Sequence, residues 1–443
     1  MPLLDQSFLF SGSRATSFYR QSVAEMPRSA RVSRDFIRAC AENKRIESLT
    51  ELWLFDPCRR ALLRHAGVEE TFVFGAGSDF EKFSAFATVL QDMTGNNAKL
   101  QCHAELRLLF GCELAVCDTH AEEIWQRTAR LLLEEGMTYR TLLEKCRIGA
   151  LLCAAAPTDD LADFAAVKEA HPVFCPDVYF EPESESFMPA VKALCEGEVS
   201  FAAFVDALSR ALDRFEAHGC HTAVHHVLPT RFCRPDEYHA TKIFEKAMQG
   251  EALCEEERAL YAAQLWRVLG REYVRREMLL ELPQEGAFSF QNVEKQRTVG
   301  EKILPKAVCE LFDYLQGYDG LARAVFYLSA PWQAPVLAAI AARYPAKGEG
   351  EPQFSFGIVV SSPAENRERL QALANAVPLS HIVGAFSDQR LSVSLLDGEL
   401  FCRTVCNLLA EWEEYGELEL PQERVTALLR RICHENMRRL YHL

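Results

Sequence analysis

The feature that most constrains the fold is a series of eight short apolar segments separated by helical patterns. Residues typical of strands recur at 28–33, 147–156, 171–180, 219–228, 278–284, 322–330, 354–360 and 381–387. The segments are continuously apolar rather than alternating, which is typical of parallel strands buried on both faces. Helix start signals such as Ser361-Ser362-Pro363 follow several of them. The pattern predicts an α/β protein with a (β/α)8 TIM-type barrel, and a doubly wound open sheet is the alternative.

One long stretch departs from the strand–helix alternation. Residues 36–146 contain no convincing strand and several amphipathic helical patterns, of which AEEIWQRTARLLLEEG at 121–136 is the clearest. The chain has no internal repeat and no linker rich in Pro, Gly or Ser that would mark a domain boundary. We therefore predict that 1–443 is a single barrel domain and that 36–146 is a helical insertion after strand one.

Composition excludes several classes of function. A formal net charge of -15 argues against nucleic acid, because binding to phosphate backbones relies on clustered Lys and Arg. The most apolar runs, ALLCAAA and VLAAIAA, are too short to span a bilayer, and no leader peptide is recognisable. The 16 Cys form no CxxC pair and lie mostly in apolar segments, as expected in a reducing compartment. We predict a cytoplasmic protein with no nucleic acid or membrane partner.

Several blocks, in order along the chain, carry a resemblance to a known family. They include FLFSGSRATSFYRQSVAEMP at 8–27, GNNAKLQCHAELRLLFG at 95–111, GREYVRREM at 270–278, HIVGAFSDQR at 381–390 and RRICHENMRRLY at 430–441. Together they resemble the uronate isomerases of the amidohydrolase superfamily, which interconvert glucuronate with fructuronate and galacturonate with tagaturonate. The resemblance covers essentially the whole chain. It implies a barrel fold, a sugar acid as substrate and assembly into a homo-oligomer.

The metal site that the resemblance implies is not matched by this sequence. Family members hold one divalent metal, such as zinc, with a His-x-His pair on strand one and an Asp after strand eight. Here Val32 and Arg34 occupy the two His positions, and neither side chain binds zinc. We therefore predict no metal cofactor. Asp388 and Arg390 match the family pattern after strand eight and are the predicted catalytic residues, with Arg390 also binding substrate.

Other family positions that contact substrate are also altered. The Arg-Pro-Asp after strand three is matched here with Glu181-Pro182-Glu183, and the Ser-Asp-His after strand four with Ala223-Val224-His225. His225 is the retained residue of the second motif and is predicted to bind substrate. His218, His221 and His226 lie nearby, but strand alternation places His225 and His226 on opposite faces, so we predict no new metal site from this cluster.

These losses predict a family member whose catalysis is lost or strongly altered. An active sugar-acid isomerase with a rebuilt site, which need not use a metal, is the alternative. In either case the expected ligand is a sugar acid or another anionic small molecule, and the chain is expected to associate with itself or with an active paralogue.

Arg34 has a second predicted role. If its side chain faces the barrel, its guanidinium would replace the metal and form a salt bridge with Asp388, besides helping to bind substrate. The alternative is that Arg34 points to solvent, because a register error of one residue would exchange the two faces of the strand.

Overall fold

The computed structural model describes residues 8–54, 56–229, 231–283, 305–344, 352–386 and 395–443. Eight parallel strands form one sheet in chain order. They are β1 (Arg28–Arg31), β2 (Ile148–Ala155), β3 (Ala170–Phe174), β4 (Thr222–Val224), β5 (Leu279–Pro283), β6 (Ala324–Leu328), β7 (Phe354–Val359) and β8 (Ile382–Phe386). The (β/α)8 TIM-type barrel predicted from the apolar segments is confirmed.

The described residues also form twenty α-helices, most of which surround the barrel. They are α1 (Ser13–Ser22), α2 (Arg34–Ala41), α3 (Leu49–Leu54), α4 (Pro57–His65), α5 (Glu70–Val73), α6 (Asp79–Asp92), α7 (Asn97–Phe110), α8 (Ala121–Glu135), α9 (Tyr139–Lys145), α10 (Ala162–Ala166), α11 (Phe187–Cys195), α12 (Phe201–Ala217), α13 (Glu237–Met248), α14 (Glu255–Arg275), α15 (Pro305–Tyr318), α16 (Gln333–Ala341), α17 (Pro363–Ala376), α18 (Asp397–Glu414), α19 (Gln422–Arg430) and α20 (Asn436–Tyr441). Helices α2 to α9 lie between β1 and β2, in the interval predicted to be an insertion. Among the described residues, no helix is both long and apolar enough to cross a membrane.

Several strands are shorter than the segments that predicted them. Strand β3 ends at Phe174, whereas the apolar segment continues to residue 180. Pro176 has no N–H to donate to a neighbouring strand, and the chain turns there into a 3-10 helix at Asp177–Phe180. The residues just after β3 therefore belong to the carboxyl end of the barrel.

Two apolar layers explain why the strands are apolar on both faces. Leu152, Val173, Val224, Val325 and Val383 pack together inside the barrel. The alternate strand residues pack outward against the surrounding helices in a separate, larger cluster. Away from the irregular register in β8, every second side chain along a strand belongs to the same layer, so the two clusters show which way a given strand residue faces.

The amino ends of the strands are closed by the last helix. The side-chain amide of Asn436 donates to the carbonyls of Ser380 (2.7 Å) and Ile382 (2.8 Å), which fixes α20 beside the start of β8. The Tyr441 hydroxyl then reaches the Tyr327 hydroxyl at 2.6 Å inside the barrel. Gly357 makes room for this arrangement, because a Cβ at that position would lie 2.3 Å from the Tyr327 ring.

The barrel interior also contains a buried ion pair. Arg31 of β1 forms a salt bridge with Glu281 of β5, and the two side chains are 5% and 0% exposed. The Arg31 guanidinium lies 4.3 Å from the centre of the Phe386 ring and 5.4 Å from that of Tyr327. A buried charge is tolerated only when its partner neutralises it, so the two residues depend on each other.

Outside the barrel, a second buried network joins both ends of the chain. Glu399 of α18 accepts hydrogen bonds from Arg28 (2.8 Å), Arg403 (2.7 Å) and the Tyr19 hydroxyl (2.6 Å). Burial alone would raise the pKa of Glu399, but the guanidinium groups of Arg28 and Arg403 hold that pKa below its ordinary value. The carboxylate is therefore charged and connects α1, β1 and α18.

We expect the substitution Arg31→Met to lower the free energy of unfolding by about 3–5 kcal/mol, because it leaves Glu281 buried without a counter-charge. The double variant R31M/E281M removes both charges and should recover most of this loss. Urea denaturation of both variants measures the effect. Arg38→Met, which removes a half-exposed partner of Asp35, is the matched control and should cost less than about 1 kcal/mol. Equal losses in the single and double variants would contradict the dependence of one charge on the other.

We expect the contribution of Glu399 to the free energy of unfolding to depend on pH. Its pKa is lower in the folded than in the unfolded chain, so the contribution is complete above the ordinary value of 4.5 and is lost as pH falls through the folded pKa. Glu399→Gln should therefore be less stable than the parent at pH 7, with the difference shrinking below about pH 4.5. The control is Glu411→Gln on the same helix, which removes a partly exposed carboxylate that pairs with Arg367 at the surface. A difference that does not change with pH would contradict the assignment.

Candidate active site at the carboxyl ends of the strands

Active sites of this fold lie at the carboxyl ends of the strands, in the loops that follow them. The predicted catalytic residues Asp388 and Arg390 follow β8 but lie outside the described residues, so their roles stay predictions. The described part of this end is formed by the residues after β1, β2, β3, β4, β6 and β7.

The structure corrects the predicted facing of the residues at the end of β1. Arg31, which pairs with Leu152 of β2, points into the barrel. Val32 is 1% exposed and packs in the outer cluster with Ala30, so it does not occupy an inward position. The inward facing of Val32 was expected from the match to the family's His-x-His, and a match displaced by one residue exchanges the two faces of a strand.

Arg34 begins α2 and binds the loop that follows β2. Its guanidinium donates to the Asp160 carbonyl at 2.6 Å, lies 3.9 Å from the Asp163 carboxylate and stacks 4.8 Å from the centre of the Phe164 ring. The side chain is 23% exposed, so it does not simply point to solvent. The predicted salt bridge with Asp388 involves a residue outside the described ranges and stays a prediction.

The residues present do not fit the strand-one metal that the resemblance implies. Zinc is bound by imidazole, thiolate or carboxylate groups. The segment 28–34 reads RSARVSR and contains none of these side chains. The mismatch holds for either facing of the strand, whether the inward positions are 31 and 33 or 32 and 34.

His225, predicted to bind substrate, lies behind the barrel wall. It is fully buried, with its Nε2 2.8 Å from the Tyr273 hydroxyl and its ring centre 4.2 Å from that of Trp266. Burial lowers the pKa of His225 to about 4, against the opposing effect of Asp177. The imidazole is therefore neutral near pH 7 and supports the loop that carries its neighbour His226.

The structure brings together three side chains that the sequence analysis did not combine. Cys175 directly follows β3 and packs against the interior cluster. Asp177 begins the 3-10 helix two residues later, and His226 lies two residues beyond the end of β4. Ligand atoms of these three side chains all lie within 4.8 Å of one another. We refer to Cys175, Asp177 and His226 as the β3–β4 cluster.

Asp177 is the centre of this cluster. Its Oδ2 accepts hydrogen bonds from the backbone N–H (2.9 Å) and Nδ1 (2.7 Å) of His226, and the Cys175 thiol lies 3.8 Å away. Burial alone would raise the pKa of Asp177, but the hydrogen bond from His226 and the proximity of His225 hold it below its ordinary value. The carboxylate is therefore charged and positions the His226 ring.

The position of this cluster also changes one motif assignment. Cys175-Pro176-Asp177 directly follows β3, whereas Glu181 comes after the 3-10 helix. Glu183 lies on the outside of the loop, where it accepts from the Leu253 N–H (2.9 Å) and from Arg258 (2.8 Å). The Arg-Pro-Asp expected after strand three is therefore better matched by 175–177, which keeps the Pro and the Asp. The sequence contained a signal for this match, because Cys175 is two residues after the inward-facing Val173 and therefore faces inward as well.

Comparison with known proteins agrees with the barrel fold and with the family that the sequence resembles. The chain matches the glucuronate isomerase family over residues 1–441. It is 28% identical to the uronate isomerase of Photorhabdus laumondii, covering 98% of this chain and 97% of that protein, and 28% identical to that of Caldicellulosiruptor bescii, covering 99% of both. The crystal structure of uronate isomerase from Thermotoga maritima superposes with a TM-score of 0.86 at 23% identity, covering 99% of each chain. This chain belongs to the glucuronate isomerase family.

Proposed function

We propose that this member of the family does not catalyse sugar-acid isomerisation with a metal held by strand one. The observation that supports the proposal is the end of β1. Segment 28–34 supplies no metal ligand, and the one inward guanidinium described there, that of Arg31, is neutralised by Glu281.

The remaining chemistry of the site argues in the same direction. Isomerisation of an aldose acid needs a clamp for the substrate carboxylate, a base for the proton at carbon two and an electrophile at the carbonyl. Cys175 occupies the position where the family has an Arg, and Val224 the position of an Asp. The Arg34 guanidinium is already bound to the loop after β2. For each of the three requirements, at least one side chain or metal ligand that the family uses is therefore missing here.

A second candidate function is a sugar-acid isomerase with a rebuilt site. The hydrogen bond between Asp177 and His226 Nδ1 favours it, because a carboxylate that holds Nδ1–H leaves Nε2 as the basic nitrogen. The His226 side chain is 18% exposed at the carboxyl end of the barrel. In this scheme Nε2 takes the proton from carbon two of the open-chain aldose and returns it to carbon one, while the hydroxyl proton of oxygen two passes to oxygen one, so that the ketose forms through an enediol.

We expect the purified protein to show no measurable conversion of glucuronate or galacturonate, with or without added zinc or manganese, because β1 provides no metal ligands. Ketose formation under identical conditions by an active uronate isomerase is the positive control. A turnover number within the usual enzyme range of roughly 1–1000 per second would contradict the proposal.

If turnover is observed, two variants identify the site responsible. Loss of activity in His226→Gln, with activity retained in Asp388→Asn, would establish the second candidate function. Loss of activity in Asp388→Asn alone would assign the reaction to the family position after β8. Both variants should keep the far-ultraviolet circular dichroism spectrum of the parent, so that a loss of activity does not reflect unfolding.

A further inference from the structure

We infer that the β3–β4 cluster binds a divalent transition metal of the zinc class, through Cys175 Sγ, Asp177 and His226 Nδ1. This metal site is distinct from the strand-one site, and it does not depend on whether the chain isomerises a sugar acid. With this site, the prediction that the protein binds no metal applies only to the position at strand one.

The geometry of the donors supports a shared ion. The ligand atoms of the three side chains lie within 4.8 Å of one another, and all three residues are only partly buried. Zinc bonds of roughly 2.0–2.3 Å place neighbouring ligand atoms of a tetrahedral site about 3–4 Å apart. The distance of 3.8 Å from Cys175 Sγ to Asp177 Oδ2 already meets this requirement. The distance of 2.7 Å between Oδ2 and His226 Nδ1 would lengthen as the ion replaces the shared proton.

The Asp177 carboxylate has one oxygen that keeps a structural contact and one that has no hydrogen-bond partner among the described residues. Oδ2 accepts the backbone N–H of His226, which holds the loop after β4. Oδ1 is buried and accepts no hydrogen bond from the described residues. Its neighbour at 3.6 Å is His225 Nδ1, on an imidazole that Tyr273 anchors from behind. A buried carboxylate oxygen without a hydrogen bond costs free energy, and a metal ion bound to the same carboxylate would offset that cost by neutralising its charge.

The chemistry of the donors selects the class of ion. A thiolate and a carboxylate carry two negative charges, which neutralise a divalent cation, and the imidazole adds a neutral donor. Thiolate and imidazole ligands favour zinc and related transition metals over magnesium or calcium, which prefer oxygen. Three protein ligands leave one position of a tetrahedral ion for water or a small ligand, as in catalytic rather than structural zinc sites.

The test is a titration of chelator-treated protein with Co²⁺, whose thiolate bonds give a charge-transfer absorption band. We expect about one Co²⁺ per chain, an intense thiolate-to-cobalt band, release of protons on binding, and displacement of the cobalt by Zn²⁺. Cys175→Ser should abolish the band. Asp177→Asn and His226→Ala should each weaken binding by at least about tenfold, the lower bound for disturbing even an outer-shell partner.

The chain provides a matched control at a second pair of Cys and His. Cys117 Sγ lies 3.3 Å from His120 Nδ1, outside the barrel mouth. Cys117→Ser should leave the band and the affinity unchanged. The inference is overturned if the parent protein gives no thiolate band, if Cys117→Ser removes it, or if the band survives in Cys175→Ser. Circular dichroism spectra that match the parent establish that the variants are folded.

Discussion

The ion pair between Arg31 and Glu281 constrains both the packing and the chemistry of this barrel. It joins opposite strands, β1 and β5, through an interior that is otherwise lined largely by aliphatic and aromatic side chains. Because a buried arginine cannot be left without its partner, Arg31 must face inward, and this fixes the facing of the whole of β1. Val32 is then directed into the outer layer. The residues at the end of β1 that would hold a family metal are replaced by a guanidinium that is already neutralised.

The barrel interior is closed at the amino ends of its strands, so a substrate can enter only at the carboxyl ends. Helix α20 covers the amino ends of the strands, and the Tyr441 hydroxyl extends to Tyr327 within the core. The Glu399 network holds the first helix and α18 against β1 on the outside. The carboxyl end carries the described groups with catalytic potential, in the loops after β3 and β4. Stability and candidate function are thus separated along the barrel axis, as is usual for this fold.

The sequence predicted the number, order and approximate positions of the eight strands, because residues buried on both faces give continuous apolar runs. Those same runs hide which way each residue faces, since no alternation of polar and apolar residues is visible. The inward facing expected for Val32 rested on the match to the family's His-x-His, and a match displaced by one residue exchanges the two faces of the strand. The structure places Val32 in the outer layer. The same difficulty hid the β3–β4 cluster: Cys175 looked like one more apolar residue, and only the turn at Pro176 shows that it ends the strand beside Asp177.

The positions of the charges give a consistent account of how the site has changed. A metal at strand one supplies two positive charges near the axis of the barrel; here Arg31 supplies one, and Glu281 neutralises it deeper inside. The Asp177 carboxylate at the mouth of the barrel lies apart from this ion pair, and it accepts two hydrogen bonds from His226. A charged carboxylate beside a thiol and an imidazole attracts cations rather than anions. The electrostatic preference of the described mouth is therefore opposite to that of a pocket built to bind a sugar acid directly, and a bound metal ion is what would make the two compatible.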